Sequence, residues 1–315
     1  MPSFKFQTVG SLLRPSELLK YKTQIEHRDG ISYPFYEDFA GYETCEAEAI
    51  KDVVNKEIEH GLSVITDGEY SKLMWHLDFV WGFEGVEREE QIILSKKFKE
   101  FHEHAGDRET KLCVPSPSHI FGELSWSDNI GGKDAIYKNR QELKAGLVKA
   151  YKEFVGGFAD LGGKIIQFDD CLWGLFADDN PNSPGNYDSR NMGGGSYVKI
   201  ANLFLRQLKY DRFFLEWDDE RAGSLEALAV FKDRPDTEII LSLLSSKTNT
   251  LDDEERVVRL LNEAATIIDK GRLFLSHQCG FASCDGGNEL TEDEQWAKIN
   301  QGQRIAKQYW QTQSV

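Results

Sequence analysis

A carboxylate and a thiol follow two apolar runs in this chain. Glu216 comes directly after Phe213-Phe214-Leu215, and Cys279 comes shortly after Leu273-Phe274-Leu275. A carboxylate beside a run that should be buried is either paired or metal-bound, because an isolated buried charge is costly. Zinc accepts cysteine sulfur, histidine nitrogen and carboxylate oxygen, and catalytic zinc keeps one position open. Glu216 and Cys279 are therefore candidate zinc ligands, with a structural Glu and a small buried Cys as the plainer alternative. Asp67, Glu69, Asp169 and Asp170 form a second, acidic set. Such a cluster suits the ammonium of an amino acid, or Mg²⁺, which prefers oxygen ligands. Salt bridges to Arg14, Arg212 or Arg221 would give the same residues a purely structural role. Ser11 follows Gly10, where its hydroxyl or amide can hold a carboxylate or simply complete a turn.

Other residues offer less. His277 lies two residues before Cys279, but a bend at the strand end would separate them. His102 and His104 are spaced as metal ligands can be. They lie in a Lys- and Glu-rich stretch, 84–107, that reads as an exposed insertion, where solvated histidines are the ordinary case. Trp75, Trp173 and Trp217 stand just beyond strand-like runs, placed either to stack on a flat heterocycle or to pack at a rim. No GxGxxG follows a strand and no GxxxxGK[ST] loop is present, so dinucleotide and P-loop roles are unsupported.

The elements that must position these groups alternate. Strand-like runs occur at 6–11, 62–66, 112–115, 164–168, 212–215, 238–243 and 272–276. Short apolar runs bounded by polar residues are the pattern of buried parallel strands. Helical periodicity fills the stretches between them, as in Val257, Leu260, Leu261, Ala264 and Ile268, and a closing helix is expected over 293–309. Alternation of this kind indicates βαβ units and a parallel sheet. The polar groups recur at the C-terminal ends of successive strands. That is the active face of a (β/α)8 barrel, whereas a doubly wound sheet would concentrate its site at one switch point. The expected fold is an α/β, (β/α)8 TIM barrel forming a single domain over 1–315. Seven runs are present where eight are needed. Between Asp170 and Glu216 the chain offers ADDNPNSPGNYDSRNMGGGS and one helix-like stretch. The fifth strand unit is thus missing or unrecorded near 183–185.

With 315 residues, the length permits one barrel or two modest domains. Lys and Arg number 37 against 53 Asp and Glu, a net charge of -16. That balance opposes a general nucleic-acid footprint and attraction to anionic lipid. No apolar run reaches the ~20 residues of a membrane span, and the N-terminal residues lack a secretory core. Five dispersed cysteines do not read as a disulfide framework. The expectation is a cytoplasmic protein with neither nucleic-acid nor membrane partners; its oligomeric state is open.

Several strings together carry a family likeness. VGSLLRP at Val9 to Pro15, VITDGEYSKLMW at Val64 to Trp75, IQFDD at Ile166 to Asp170, FLEWDDERAG at Phe214 to Gly223 and SHQCGFAS at Ser276 to Ser283 occur in order over nearly the whole chain. The chain resembles the catalytic C-terminal barrel of the cobalamin-independent methionine synthases, especially stand-alone single-barrel relatives. The resemblance implies zinc-dependent transfer of a methyl group from a 5-methyltetrahydrofolate-type donor to the thiol of homocysteine. It implies zinc ligands at Glu216 and Cys279, homocysteine-binding groups at Ser11 and Glu69, and a contact of Asp169 with the substrate amino group. The family's other two zinc ligands form an HxC motif at the fifth strand end. GNYDSRNMGGGS at Gly185 to Ser196 resembles the family's stretch just after that motif, but the HxC itself is absent, at the place where the strand count falls short. The extra N-terminal barrel of the full synthases has no counterpart here, which opens the identity of the donor. His76 and His119 are candidate proton donors. A degenerate ligand-binding barrel and a decarboxylase on a related barrel are the alternatives. The acidic strand ends oppose the second.

Overall fold

The computed structural model describes residues 5–26, 39–72, 79, 92–125, 130–131, 135–170, 205–218, 222–282 and 287–311. The expected fifth-strand region at 183–185, Trp75, His76, Trp173 and Arg221 lie outside them. The chain is α/β, and its six described strands form two three-stranded parallel sheets, the pattern of a partial (β/α)8 barrel. It divides into two compact units, Gly10–Asp170 and Met1–Val9 with Cys171–Val315.

The Gly10–Asp170 unit begins with α1 (Ser16–Glu26) and α2 (Tyr42–Glu59). Three strands follow, β1 (Val64–Ile65), β2 (Glu109–Pro115) and β3 (Ile165–Asp169), in spatial order β1-β2-β3. Between them lie α3 (Ile92–Ala105), α4 (Pro117–Ser125) and α5 (Arg140–Asp160). Residues 92–105 of the charged insertion are thus helical. Helix α2 buries Tyr42, Glu46, Ala49, Ile50, Val53, Val54 and Glu57, a largely apolar stripe at helical spacing with two acids inside it. Helix α5 starts where Asn139 accepts hydrogen bonds from the amides of Gln141 and Glu142, a side-chain cap for otherwise orphaned donors. Register places Cys113 opposite Gln167 and Pro115 opposite Asp169.

In the other unit β4 (Arg212–Glu216), β5 (Glu238–Leu244) and β6 (Leu273–His277) lie side by side. Helix α6 (Glu254–Ile267) follows β5, and α7 (Glu292–Gln311) closes the described chain. Every residue of β5 from Ile239 to Leu244 is buried, as is all of β6, so both faces of these strands are covered. Helix α6 is capped by Asp253 and buries Val257, Leu261 and Ala264. Its Arg256 guanidinium bonds the carbonyls of Leu243 and Trp217 at 3.2 Å each, and that of Asp218.

The run at 6–11 departs from expectation. Among the described residues it pairs only as a single bridge, Phe6 to Leu275, supported by the Gln7 amide on the Leu275 carbonyl at 3.0 Å. The chain then turns away at Gly10, whose Cα packs so closely that a Cβ would lie 2.6 Å from Cys113 Sγ and 2.8 Å from Glu69 Oε1. No helix among the described residues is long and apolar enough to cross a membrane.

Candidate functional site

In the Gly10–Asp170 unit the acidic residues meet on a turn after β1. Gly68 and Glu69 both have positive φ, 65° and 58°. Glycine takes that conformation freely, whereas for Glu69 it is strained, a condition that persists only where the surroundings impose it. Those surroundings are visible. The Thr66 hydroxyl lies 3.1 Å from the Gly10 carbonyl and 3.1 Å from Glu57 Oε1, and the Gly68 amide donates to it. Asp67 accepts from the Glu69 amide at 2.9 Å and from the Ser71 hydroxyl at 2.7 Å. The Leu12 amide, next to buried Ser11, donates to the Gly68 carbonyl at 3.0 Å. Ser11 therefore borders the turn that carries Glu69.

Glu69, Cys113 and Asp169 converge, each offering a ligand atom within 4.8 Å of the others, a buried cluster capable of coordinating a metal ion. Two lysines already answer its charge. Lys72 Nζ lies 3.4 Å from Glu69 Oε2 and donates to the Cys113 carbonyl at 2.5 Å. Lys111 is buried and reaches Gln167 Oε1 at 2.8 Å, while the Gln167 amide nitrogen donates to Asp169 at 2.7 Å. Burial disfavours the Lys72 ammonium, but Glu69, Cys113, Asp67 and Asp169 outweigh it and hold its pKa above the ordinary value. Loss of hydration, then the charge of Glu69, pushes the Asp169 carboxyl upward. Asp170 is apart from this cluster: its Oδ2 accepts from the Ser116 hydroxyl at 2.6 Å and from Ser118.

In the other unit Glu216 ends β4 and Cys279 lies two residues past β6. The Cys279 thiol donates to Glu216 Oε1 at 2.8 Å. The two expected zinc ligands are thus in direct contact although 63 residues apart. Burial, then the Glu216 charge, pushes the Cys279 thiol well above its ordinary pKa, with Lys247 opposing. A cation between the two would relieve that penalty, and a thiolate with a carboxylate is a donor pair zinc accepts, so these residues fit the metal.

The remaining candidates take other partners. His277 packs edge-on to Phe6 at 5.7 Å and to Phe281 at 4.9 Å between centroids. Burial lowers its pKa to about 3, so it is a neutral core residue. His102 bonds Thr110 Oγ1 at 2.8 Å and His104 bonds Asn55 at 3.2 Å, which separates the pair. His119 is buried against Glu123 at 3.1 Å. Trp217 is buried and donates to the Gly223 carbonyl, so it packs. Arg212 pairs with Glu238 instead of the acidic cluster, and Arg14 bonds the carbonyls of Glu69 and Lys72. Sequence reasoning missed Cys113, Lys72 and Lys111. The available signal was a lysine and a cysteine inside an apolar strand-like run, KLCV.

No known protein-family profile matches the chain. Among solved structures, a putative vitamin-B12 independent methionine synthase from Listeria monocytogenes matches with a TM-score of 0.73 and 26% identity, covering 98% of each chain. A B12-independent methionine synthase from Shewanella sp. W3-18-1, in complex with selenomethionine, shares the fold with a TM-score of 0.69 at 16% identity over 98% of each chain. The chain therefore has a fold like that of the cobalamin-independent methionine synthases. The Bacillus subtilis protein YxjG is 29% identical over 375 aligned positions, covering 98% of this chain and 95% of YxjG. Those positions take in only about 309 residues of this chain, so about 66 lie opposite gaps in it. Bacillus subtilis YxjH, an uncharacterized protein, is 32% identical over 337 positions, covering 84% of this chain and 87% of YxjH. At that identity and coverage, the chain belongs to the same protein family as YxjH.

Proposed function

We propose that this chain is a zinc-dependent methyltransferase acting in methionine biosynthesis, moving a methyl group from a 5-methyltetrahydrofolate-type donor to the thiol of homocysteine. The contact between Cys279 Sγ and Glu216 Oε1 carries the reading. Two groups that zinc accepts, remote in sequence, meet at the C-terminal ends of β4 and β6, the parallel strands on either side of β5, where barrel enzymes keep their chemistry. Fold likeness to the Listeria and Shewanella proteins supports it.

Zinc held by Glu216 and Cys279 would supply the charge that keeps a substrate thiol anionic near neutral pH, the form that is nucleophilic. By the family resemblance, Ser11, Glu69 and Asp169 are the proposed homocysteine-binding groups, the acids being suited to an ammonium and Ser11 to a carboxylate. Lys72 then sets how much negative charge remains for that ammonium. Glu216 and Cys279 amount to two of the four protein ligands in the resembled set. The 66 or so alignment positions that YxjG has and this chain lacks are enough for a strand and helix carrying the other two. If those residues are truly absent, the ligand shortfall favours a second reading, a barrel that binds a ligand without turnover.

Metal analysis of the full chain purified without chelators, together with Cys279→Ser, separates the two readings. The methyltransferase reading expects zinc in the wild type, its loss in the variant, and zinc-dependent transfer to homocysteine. A wild type that neither retains zinc nor turns over when zinc is supplied sinks that reading and leaves the binding barrel.

A further inference from the structure

Beside Cys279, five buried polar atoms lack any hydrogen-bond partner: the two ring nitrogens of His277, which packs between Phe6 and Phe281, and Gln278 Nε2, Gln278 Oε1 and Ser246 Oγ. Gln278 is 3% exposed and Ser246 0%. They occupy adjoining strand ends. The Gln278 backbone N–H donates to the Leu244 carbonyl at 2.8 Å, just past the β5–β6 ladder. Asn288 clamps the two segments, its Nδ2 reaching the Ser246 carbonyl at 2.8 Å and the Gly280 carbonyl at 3.3 Å. The backbone here is thus held and satisfied while the side-chain groups are not.

Buried polar side chains are almost always paired, because an unmade bond forfeits hydration with no return. A primary amide with both ends unpaired is costly enough that a folded protein keeps it where something else completes it. We infer that Gln278 and Ser246 form a ligand-completed polar subsite next to the Cys279–Glu216 pair, and that its ligand presents a neutral amide or lactam edge. The chemistry follows from the residues. A carboxamide offers one donor and one acceptor side by side, which an amide or lactam matches with its own acceptor and donor. The Ser246 hydroxyl can give or take a third bond. Neither residue bears a charge, so the pair matches a neutral group by itself; Lys247 and Glu216 stand beside Cys279, and the charged controls below test whether they draw in an ion instead. This inference needs neither zinc nor turnover and stands apart from the methyltransferase reading.

The test is a thermal-shift titration of the full chain with 2-pyrrolidone, a minimal lactam, with acetate and methylammonium as charged controls. The variants are Gln278→Met and Ser246→Ala. The expected result is a saturable rise in Tm with 2-pyrrolidone alone, lost in Gln278→Met and weakened in Ser246→Ala. Without ligand, Gln278→Met should melt roughly 2 °C or more above the wild type, since an unpaired amide has been exchanged for apolar volume. If Gln278→Met melts lower, the amide is satisfied in the free protein by fixed water only, and the subsite is overturned. It is equally overturned if no probe shifts the wild type, or if acetate shifts it as much as the lactam. Zinc content measured on the same samples keeps this outcome separate from that of the metal reading.

Discussion

Glu57 sits at the end of α2, wholly buried, against the turn that carries Glu69. Burial raises its pKa from 4.5 to about 8, against the pull of two hydrogen bonds with Thr66 and the charge of Lys111. Thr66 Oγ1 lies 3.1 Å from both the Gly10 carbonyl and Glu57 Oε1, and a hydroxyl has one proton to share between them. When that proton goes to the carbonyl, a protonated Glu57 can donate in the other contact. The Thr66 amide donates to the second oxygen at 2.8 Å. Glutamine reproduces this pattern, its NH₂ facing the hydroxyl and its carbonyl facing the amide. A carboxyl whose pKa is raised on folding contributes stability that is full below about 4.5 and is lost as pH climbs through about 8. At about 1.4 kcal/mol for each pH unit of displacement, up to about 5 kcal/mol depends on pH through this one residue. Urea denaturation at pH 5 and pH 9 measures it. Glu57→Gln should match the wild type at pH 5 within about 1 kcal/mol and exceed it by several at pH 9. Equal pH slopes for the two proteins would refute a neutral Glu57. So would a large loss in Glu57→Gln at pH 5.

Three further outcomes rest on contacts at the same turn and elsewhere. Gly10→Ala drives a methyl into Cys113 Sγ and Glu69 Oε1 and should cost ~1–3 kcal/mol in denaturant, with Cys113→Ala in the same chain recovering part of it. Lys72→Met removes the buried ammonium beside Glu69 and should cost ~3–5 kcal/mol at pH 8; added Zn²⁺ should restore part of this by filling the Glu69–Cys113–Asp169 cluster, read as a larger rise in Tm than the wild type shows. Asn139→Ala deletes the cap of α5 and should lower stability by ~1 kcal/mol, while Asn139→Asp keeps it.

The parallel strands were legible because they are short apolar runs with polar ends. The expected 238–243 and 272–276 differ from β5 and β6 by one residue at each affected end. The 6–11 run, FQTVGS, is more polar than the others and among the described residues makes one bridge. Glu216 and Cys279 were legible through motif strings. Their contact is a product of β4 and β6 flanking β5, which no spacing predicts. Lys111 and Cys113 were hidden for a different reason. Alternating polar residues on a strand suggest a solvent face, but a parallel strand covered on both sides buries them all, and their partners arrive from β3 and from the turn after β1. The histidines at 102 and 104 take separate partners, Thr110 and Asn55, in keeping with their reading as ordinary side chains of a charged stretch and not as a ligand pair.

Arg256 has a consequence for how this part of the molecule opens. One guanidinium in the first turn of α6 holds carbonyls at the end of β5 and just beyond β4. Three segments that could fray one at a time are thereby made to open together. Amide exchange around Trp217, Leu243 and the start of α6 should share one opening free energy, and Arg256→Lys, with no fork to span them, should split it into separate local events. The stretch bearing Glu216 then borrows the stability of a helix it does not belong to.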